Sequence, residues 1–412
     1  MSALTRKRIE FGSPSIGTFV VPRNAEIDRL RAVAVLMVLL AHIGDYLAVA
    51  GVADTAVMLR MKSMALGVDL FFVISGFVVS RVILAEIDRL PHGNTRSWGN
   101  LLAAFYTRRA HRILPMAWLV LVVFSAALLP VWGDGAAWRY ALATAGAAVT
   151  LWVNYFLYWF PPEHYSTSPF GPYWSLAIEE QFYLVYPLFL LAVRSTRARL
   201  LWLAGALLLI AAVLRPLYLD AAIAAGHSRA AFATHFRADG ILAGCLLGVL
   251  AHEGALARLG STVPTQRVIA WTAVLALLAL MVEARARYPA VLSLPVVVTL
   301  SGALVVLASR QTGWILPGTG LLGRSLDWTG LRSYGIYLIN WPLLWLMDGL
   351  WPAARAMDGA GLAAFFTGWL GLTAMFSELC FRWIERPLIA RGAHRAARFG
   401  STVAITTENK HS

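Results

Sequence analysis

The chain has 412 residues, 59% of them hydrophobic and 14% charged, with a mean hydropathy of +0.65. Soluble domains carry about 25% charged residues, so the composition excludes a soluble globular protein. The net charge of +13 reads as Lys and Arg retained on the cytoplasmic side of a membrane rather than as a nucleic-acid surface. Cys245 and Cys380 both sit in apolar runs and make neither a disulfide framework nor a metal site.

Apolar runs long enough to span a bilayer fall near 27–50, 64–86, 112–131, 175–193, 200–219, 231–252, 268–285, 291–309, 333–351 and 361–384. The first has no small-residue cleavage site behind it, so no signal peptide is expected. It carries Arg31 and His42. Eleven residues turn a helix through about 1100°, so both side chains share one face about 16 Å apart along the axis. That is roughly half the ~30 Å core. A permanent cation then stands at the boundary and a titratable ring near the midplane, a depth at which ionisable groups are functional by default.

The second run carries Asp69 towards its outer end, with Ser75 and Gly76 deeper. Before the third, Arg109 and Arg112 lie three apart, flanked by Arg108 and His111. Such a run reads either as a positive-inside topology cluster or, because guanidinium forks match phosphates, as part of a cationic mouth with Arg31 suited to a nucleotide-like polyphosphate.

An eleventh stretch, 138–160, decides the topology. If it does not cross, Arg89, Arg96, Arg108, Arg109, Arg112, Arg194, Arg197, Arg199, Arg258, Arg267, Arg310, Arg324 and Arg332 all fall inside, as do both termini. Roughly 26 of the 35 Lys and Arg residues are then cytoplasmic, the positive-inside pattern. If it crosses, that bias collapses. The expectation is an all-α polytopic membrane bundle of about ten transmembrane helices plus one re-entrant or interfacial segment on the outer side. A cytoplasmic tail over 1–25, a membrane domain over 26–390 and a cytoplasmic tail over 391–412 complete the reading, both tails without periodicity.

The aromatic and Pro-rich stretch 158–174 is expected outside. Glu179 and Glu180 follow it, about 100° apart on a helix, where pairing with Arg237 or Arg215 is one reading and a cavity-facing role the other. Tyr173, Trp174, Phe182, Tyr183 and Tyr186 fit an interfacial belt or a sugar-binding rim. Arg237 and Asp239 read as a local ion pair. Asn340 is deep enough to face the bundle. Glu385 with Arg382 and Arg386 reads as an ion-pair cap at the inner boundary.

These blocks, in this order, resemble the acyltransferase 3 family of integral membrane acyltransferases over roughly residues 24–390. The resemblance rests on R-x10-H (Arg31, His42), D-L-F-F-V-I-S-G-F (Asp69 to Phe77), R-x-x-R (Arg109, Arg112), W-S-L-A-I-E-E-Q-F-Y-L (Trp174 to Leu184), R-A-D-G (Arg237 to Gly240), S-Y-G-I-Y-L (Ser333 to Leu338) and I-E-R-P (Ile384 to Pro387). It implies transfer of an acyl group, commonly acetyl, from cytoplasmic acyl-CoA to a hydroxyl of an extracytoplasmic glycan. The setting is the bacterial inner membrane, without a metal. A secondary metabolite such as a macrolide is the alternative acceptor, and a transporter of a lipid-linked glycan the alternative class. Under the resemblance Arg31, Arg109 and Arg112 bind the donor. His42 is base or acyl carrier, Glu180 and Asp69 support it, and Trp174, Glu179, Arg237 and Asp239 face the acceptor. Members often carry His where this chain has Asn340, and Asn can hydrogen-bond but cannot ionise. The family's esterase-like C-terminal domain, present in some members, is not expected here.

Overall fold

Asn24 opens the first helix: its Oδ1 accepts from the backbone N–H groups of Glu26 (3.0 Å) and Ile27 (3.2 Å). Glu26 and Asp28 then place carboxylates at the positive end of the dipole. The computed structural model describes residues 19–21, 24–49, 51, 56–90, 95–132, 135–160, 168–227, 229–258, 290–311, 320–352, 359–399 and 403–405, with scattered positions in 268–280. Helix α1 (Ala25–Val49) has 25 residues, about 37 Å of axis, enough to cross a bilayer.

The chain returns through α2 (Ala56–Ser63), a 3₁₀ turn (Met64–Leu66) and α3 (Gly67–Ile87), one apolar run of 32 residues. It descends beside α1, Gly44 facing Met61 and Lys62 while Gly67 meets the Ala34 carbonyl. Ala34 lies eight residues, about 12 Å, before His42. Asp69, just past Gly67, therefore sits near the level of Arg31 and not towards the outer end of its span. The apparent span began too late because Arg60 and Lys62 interrupt the hydropathy of α2.

Helix α4 (Thr95–Trp132) runs unbroken for 38 residues and carries the arginine cluster within it. Helices α5 (Ala136–Val149) and α6 (Val153–Trp159) have 14 and 7 residues, about 21 and 10 Å. Neither alone crosses a ~30 Å core, the geometry expected of a half-inserted piece over 138–160. Between them Leu151 takes φ 59°. Trp152 N–H bonds Ala147 O (2.8 Å) and Leu151 N–H bonds Ala148 O (3.1 Å), the Schellman pattern with leucine where glycine is usual. Such a conformation costs about 1–2 kcal/mol. The Leu151 carbonyl is held by Gln181 Nε2 (2.7 Å).

Helix α7 (Tyr173–Ala192) leads to α8 (Thr196–Leu208), which continues as a π-helix over Leu209–Leu219 and ends in α9 (Asp220–Ala224). A 3₁₀ turn (Ala230–Phe232) and α10 (Thr234–Arg237) precede α11 (Asp239–His252). The span expected over 231–252 is thus interrupted, and its helix proper has 14 residues. Then come α12 (Ala290–Ser309), α13 (Gly320–Leu350), α14 (Gly359–Cys380), a π-helical turn (Phe381–Glu385) and α15 (Arg386–Ala397). The tails differ from expectation: β1 (Phe19–Val21) pairs in parallel with β2 (Val403–Ile405), bringing the two ends of the membrane domain together.

Among the described residues five helical runs are long and apolar enough to cross a membrane: Ala25–Ala48, Ala56–Ile87, Ser97–Val131, Thr196–Ala224 and Gly359–Ala397. The fold is therefore an all-α membrane-type bundle. Most of the span expected over 268–285 lies outside the described residues.

Glycines weld α3 to α11 side by side in the same direction. A Cβ on Gly76 would strike the Ile241 carbonyl oxygen, and one on Gly244 the Val73 carbonyl oxygen. Backbone cannot yield as a side chain tip can, and membrane helices gain adhesion by such close approach. Gly244→Val is expected to lower the melting temperature in detergent by several degrees, overpacking costing about 1–3 kcal/mol. Gly205→Val, whose added Cβ meets nothing within 4 Å, should melt as the parent does, and equal melting of both variants would refute the weld.

Candidate active site

The run R-R-A-H-R on α4 separates into structural and unsatisfied members. Arg108 forks onto the Glu86 carboxylate (2.7 and 2.9 Å). His111 Nδ1 faces its own helix at Thr107 O (2.8 Å), and its Nε2 meets Arg395 (3.0 Å). Arg109 lays its guanidinium over the Tyr183 ring, 4.3 Å from the centroid. Arg112 has no hydrogen bond or ion pair among the described residues, and it lies within electrostatic reach of the like charges of Arg31 and Arg109 and of the carboxylates of Asp28, Glu179 and Glu385. Arg31 bonds Asp28 at 2.7 Å. Three guanidinium groups thus lie within electrostatic reach of one another, and Arg112 has no hydrogen-bonded partner among the described residues.

Helix α7 brings Glu179 to this cluster, where it feels Arg109, Arg31 and Arg112 and accepts from Tyr183 Oη (3.2 Å). Tyr183 in turn bonds the Ser75 hydroxyl of α3. Glu180 feels Arg109 and Glu179, and its Oε1 is buried without a partner. Neither carboxylate pairs with Arg237 or Arg215. The expected cap at Glu385 is also corrected. The π-helical turn swings Glu385 inward towards Arg112 and Arg332, into space that Gly335 leaves open. The cap is Glu378, which takes Arg332, Arg382 and the Trp328 indole N–H (2.8 Å). An acid in an otherwise apolar span was the overlooked signal for Glu378.

His42 stands eleven residues above Arg31 on unbroken α1, its ring 4.5 Å from that of Trp341. Its Nδ1 lies 2.5 Å from Asn340 Oδ1. The Asn340 Nδ2 group is committed as donor to the carbonyls of Ile336 and Tyr337, both at 2.8 Å. Asn340 Oδ1 can therefore only accept, so His42 Nδ1 carries the proton and Nε2 presents a lone pair. Asn340 is the orienting partner of His42. The Trp369 indole N–H holds the Asn340 carbonyl (2.7 Å).

Asp69 does not meet His42. It bonds Arg237 (2.9 Å), while Asp239 bonds Arg215 (2.7 Å). The local Arg237–Asp239 pair does not form, because residues two apart on helical backbone do not face each other. The π-helix after α8 turns Arg215 fully inward, where it also donates to Phe236 O at 2.8 Å.

Trp174 is 8% exposed. The Phe232 ring stacks on it at 4.5 Å, Arg237 lies 5.6 Å from its centroid, and Phe72 meets it edge-on. Tyr173 donates to Ala117 O, Tyr186 bonds Ser80, and Phe182 stacks on Tyr186. These rings are packed inside the bundle and do not form the sugar-binding rim expected of them. The remainder of that rim, 161–167, lies outside the described residues.

Together these features define a polytopic helical membrane-type protein with an arginine cluster from two helices below an oriented histidine. The acyltransferase 3 family model, described as an acyltransferase domain, matches residues 24–377, and the chain belongs to that family. It is 28% identical over 390 residues to OatA of Listeria monocytogenes, named a peptidoglycan O-acetyltransferase. The match covers 89% of this chain and 56% of OatA. It is 27% identical over 387 residues to YrhL of Bacillus subtilis, a candidate peptidoglycan O-acetyltransferase (90% of this chain, 56% of YrhL). A candidate O-acetyltransferase of Staphylococcus aureus strain N315 is 30% identical over 237 residues, covering 54% of this chain and 34% of the relative. The chain spans about half the length of the first two relatives. No solved structure matches it.

Proposed function

We propose that this chain is a membrane O-acyltransferase that takes an acyl group, acetyl for preference, from cytoplasmic acyl-CoA and gives it to a hydroxyl of a cell-surface glycan. The observation that carries the reading is the cluster of Arg31, Arg109 and Arg112 below His42, in which Arg112 has no hydrogen-bonded partner among the described residues. Arg31, Arg109 and Arg112 hold the donor phosphates by bidentate charge-assisted bonds. Asn340 fixes the His42 tautomer, and Nε2 removes the proton of the acceptor hydroxyl as that oxygen attacks the thioester carbonyl. The same proton leaves with the departing thiol. Glu180 is placed to polarise the groups around Arg109, and Asp69 acts on the site through Arg237 rather than on His42. Purified full-length protein should transfer acetyl from acetyl-CoA to a chito-oligosaccharide, and absence of both acetyl-CoA binding and thioester hydrolysis would refute the reading.

About ten spans with both ends inside, the 231–252 span broken before α11, belong to the same reading, supported by the charge distribution and by the β1–β2 pairing, which requires both ends on one face. The outer side is then the side of α6 and the start of α7. Ser168 is a poor probe of it, being 2% exposed. Phe160 is 57% exposed, so Phe160→Cys, in a background with Cys245 and Cys380 replaced by Ser, should react with an impermeant thiol reagent added outside intact cells. Labelling from the cytoplasmic side alone would invert the topology.

A further inference from the structure

With Trp174 and its neighbours packed inside the bundle, the ring faces that can receive a sugar lie elsewhere. A cavity of about 420 Å³ opens between α6, the π-helical end of α8, α9 and α10, a size within the ~300–1,000 Å³ range of small-ligand sites. Its polar and aromatic lining is Tyr158, Tyr218, His227 and His235, with Phe236 beside them. Ala221, Ala222 and Ala225 form a flat wall on one turn of helix. The lining includes no Asp, Glu, Lys or Arg, so it offers nothing to the phosphates of a nucleotide.

The polarity of this lining can be read from its hydrogen bonds. His227 Nδ1 lies 3.1 Å from the Tyr158 carbonyl, which only accepts, so that nitrogen carries the proton and Nε2 is a free acceptor. The Tyr158 and His227 rings stack at 4.6 Å and 8°, a rigid aromatic step. Tyr218 is 55% exposed, and its ring is available on the cavity side. Leu214 and the alanines give the lining an aliphatic side, but a purely lipid-filling groove would be lined by aliphatic chains throughout. Ring faces beside imidazole acceptors and small residues instead match a neutral pyranose, whose C–H face packs on aromatic rings while its hydroxyls donate to nitrogen.

The cavity is also tied to the proposed chemistry. Thr234, one residue before His235, donates to Gln181 Oε1 (2.6 Å) and accepts from Asn154 Nδ2 (2.8 Å), and Gln181 adjoins Glu180 on α7. Phe236 supplies the carbonyl held by Arg215, and the next residue, Arg237, pairs with Asp69. We infer that this cavity is the acceptor subsite, binding one neutral sugar ring of the glycan through Tyr218, His227 and the Tyr158–His227 step. The assignment of the ring to an acceptor rests on the acyl-transfer reading above.

The test is titration of the full-length protein in lipid nanodiscs with chitotetraose in its fully N-acetylated, neutral form, followed by tryptophan fluorescence, since Trp159 sits edge-on to His227 at 5.2 Å. The parent should show saturable binding. Tyr218→Ala and His227→Ala should weaken it by about tenfold, whereas Tyr218→Phe, which keeps the ring face, should bind as the parent does. Acetyl-CoA affinity, measured on the same preparations, should be equal in all four proteins and so report a folded donor site. Chitotetraose binding that is unchanged in both Ala variants would overturn the proposal. So would a parent that binds acetyl-CoA but not the sugar, including one whose cavity is filled by co-purified lipid. That last result would leave the acyl-transfer reading standing. Tyr218-dependent sugar binding without any acetyl-CoA binding would do the reverse, keeping the cavity and sinking the donor assignment.

Discussion

His42→Ala is expected to abolish acyl transfer while leaving the protein in the membrane and able to bind acetyl-CoA. Loss of a general base typically costs about 10²–10⁴ in rate, and loss of an acyl carrier would cost more. The donor affinity should survive because Arg31 lies about 16 Å along α1 from the imidazole and Arg109 and Arg112 belong to a different helix. The variant should also fold, because His42 makes a single hydrogen bond, to Asn340, and Asn340 keeps its two bonds to the α13 backbone without it. Asn340→Ala supplies the graded comparison. The imidazole would remain, but Nδ1–H would lose its acceptor and the ring its fixed tautomer, so the rate should fall by less than in His42→Ala with KM for acetyl-CoA unchanged. Measured acetyl transfer at parental rate in His42→Ala would remove His42 from the mechanism. Equal losses in the two variants would make orientation, rather than basicity, its main contribution.

The parts of this protein set by helical periodicity were readable in the residues. The Arg31–His42 register needs only an unbroken helix, and α1 supplies one. The short helices α5 and α6, broken at Leu151, fall where charge placement on either side of 138–160 asks for a piece that does not cross. What escaped was set by departures from ideal helix. The π-helical stretch after α8 turns Arg215 inward and exchanges partners among four buried charges, so Arg237 serves Asp69 and Arg215 serves Asp239. A second π-helical turn carries Glu385 away from Arg382 and into the cluster. Neither shift has a periodic signature, because one extra residue per turn leaves hydropathy unchanged. The aromatic belt failed for a different reason. Tyr and Trp near a span end favour the interface on average, but Trp174 found Phe232 and Arg237 first, and packing inside the bundle took both its faces.

Arg112→Ala is expected to weaken acetyl-CoA binding by about 10–150-fold, the worth of a charge-assisted hydrogen bond at roughly 1.5–3 kcal/mol, without lowering the stability of the donor-free protein. The second half of that statement separates a ligand site from a structural one. Arg108, forked onto Glu86, is a buried ion pair, and Arg108→Ala would leave a carboxylate uncompensated at a cost of about 3–5 kcal/mol. Arg112 has no such partner among the described residues and stands against Arg31 and Arg109. Its removal trades relief of repulsion from Arg31 and Arg109 against lost attraction to Glu385, Glu179 and Asp28, none of which hydrogen-bonds to it, so the melting temperature without donor should stay close to the parent's. Saturating acetyl-CoA should then raise it less than in the parent, because ligand stabilisation follows affinity. Arg112→Lys keeps the charge and loses the fork, and should restore the binding only in part. If Arg112→Ala instead melts well below the parent and binds acetyl-CoA normally, the guanidinium belongs to the scaffold. The polyanion would then have to be sought at Arg109 and Arg31 alone, where the Tyr183 ring and Asp28 already claim part of the charge.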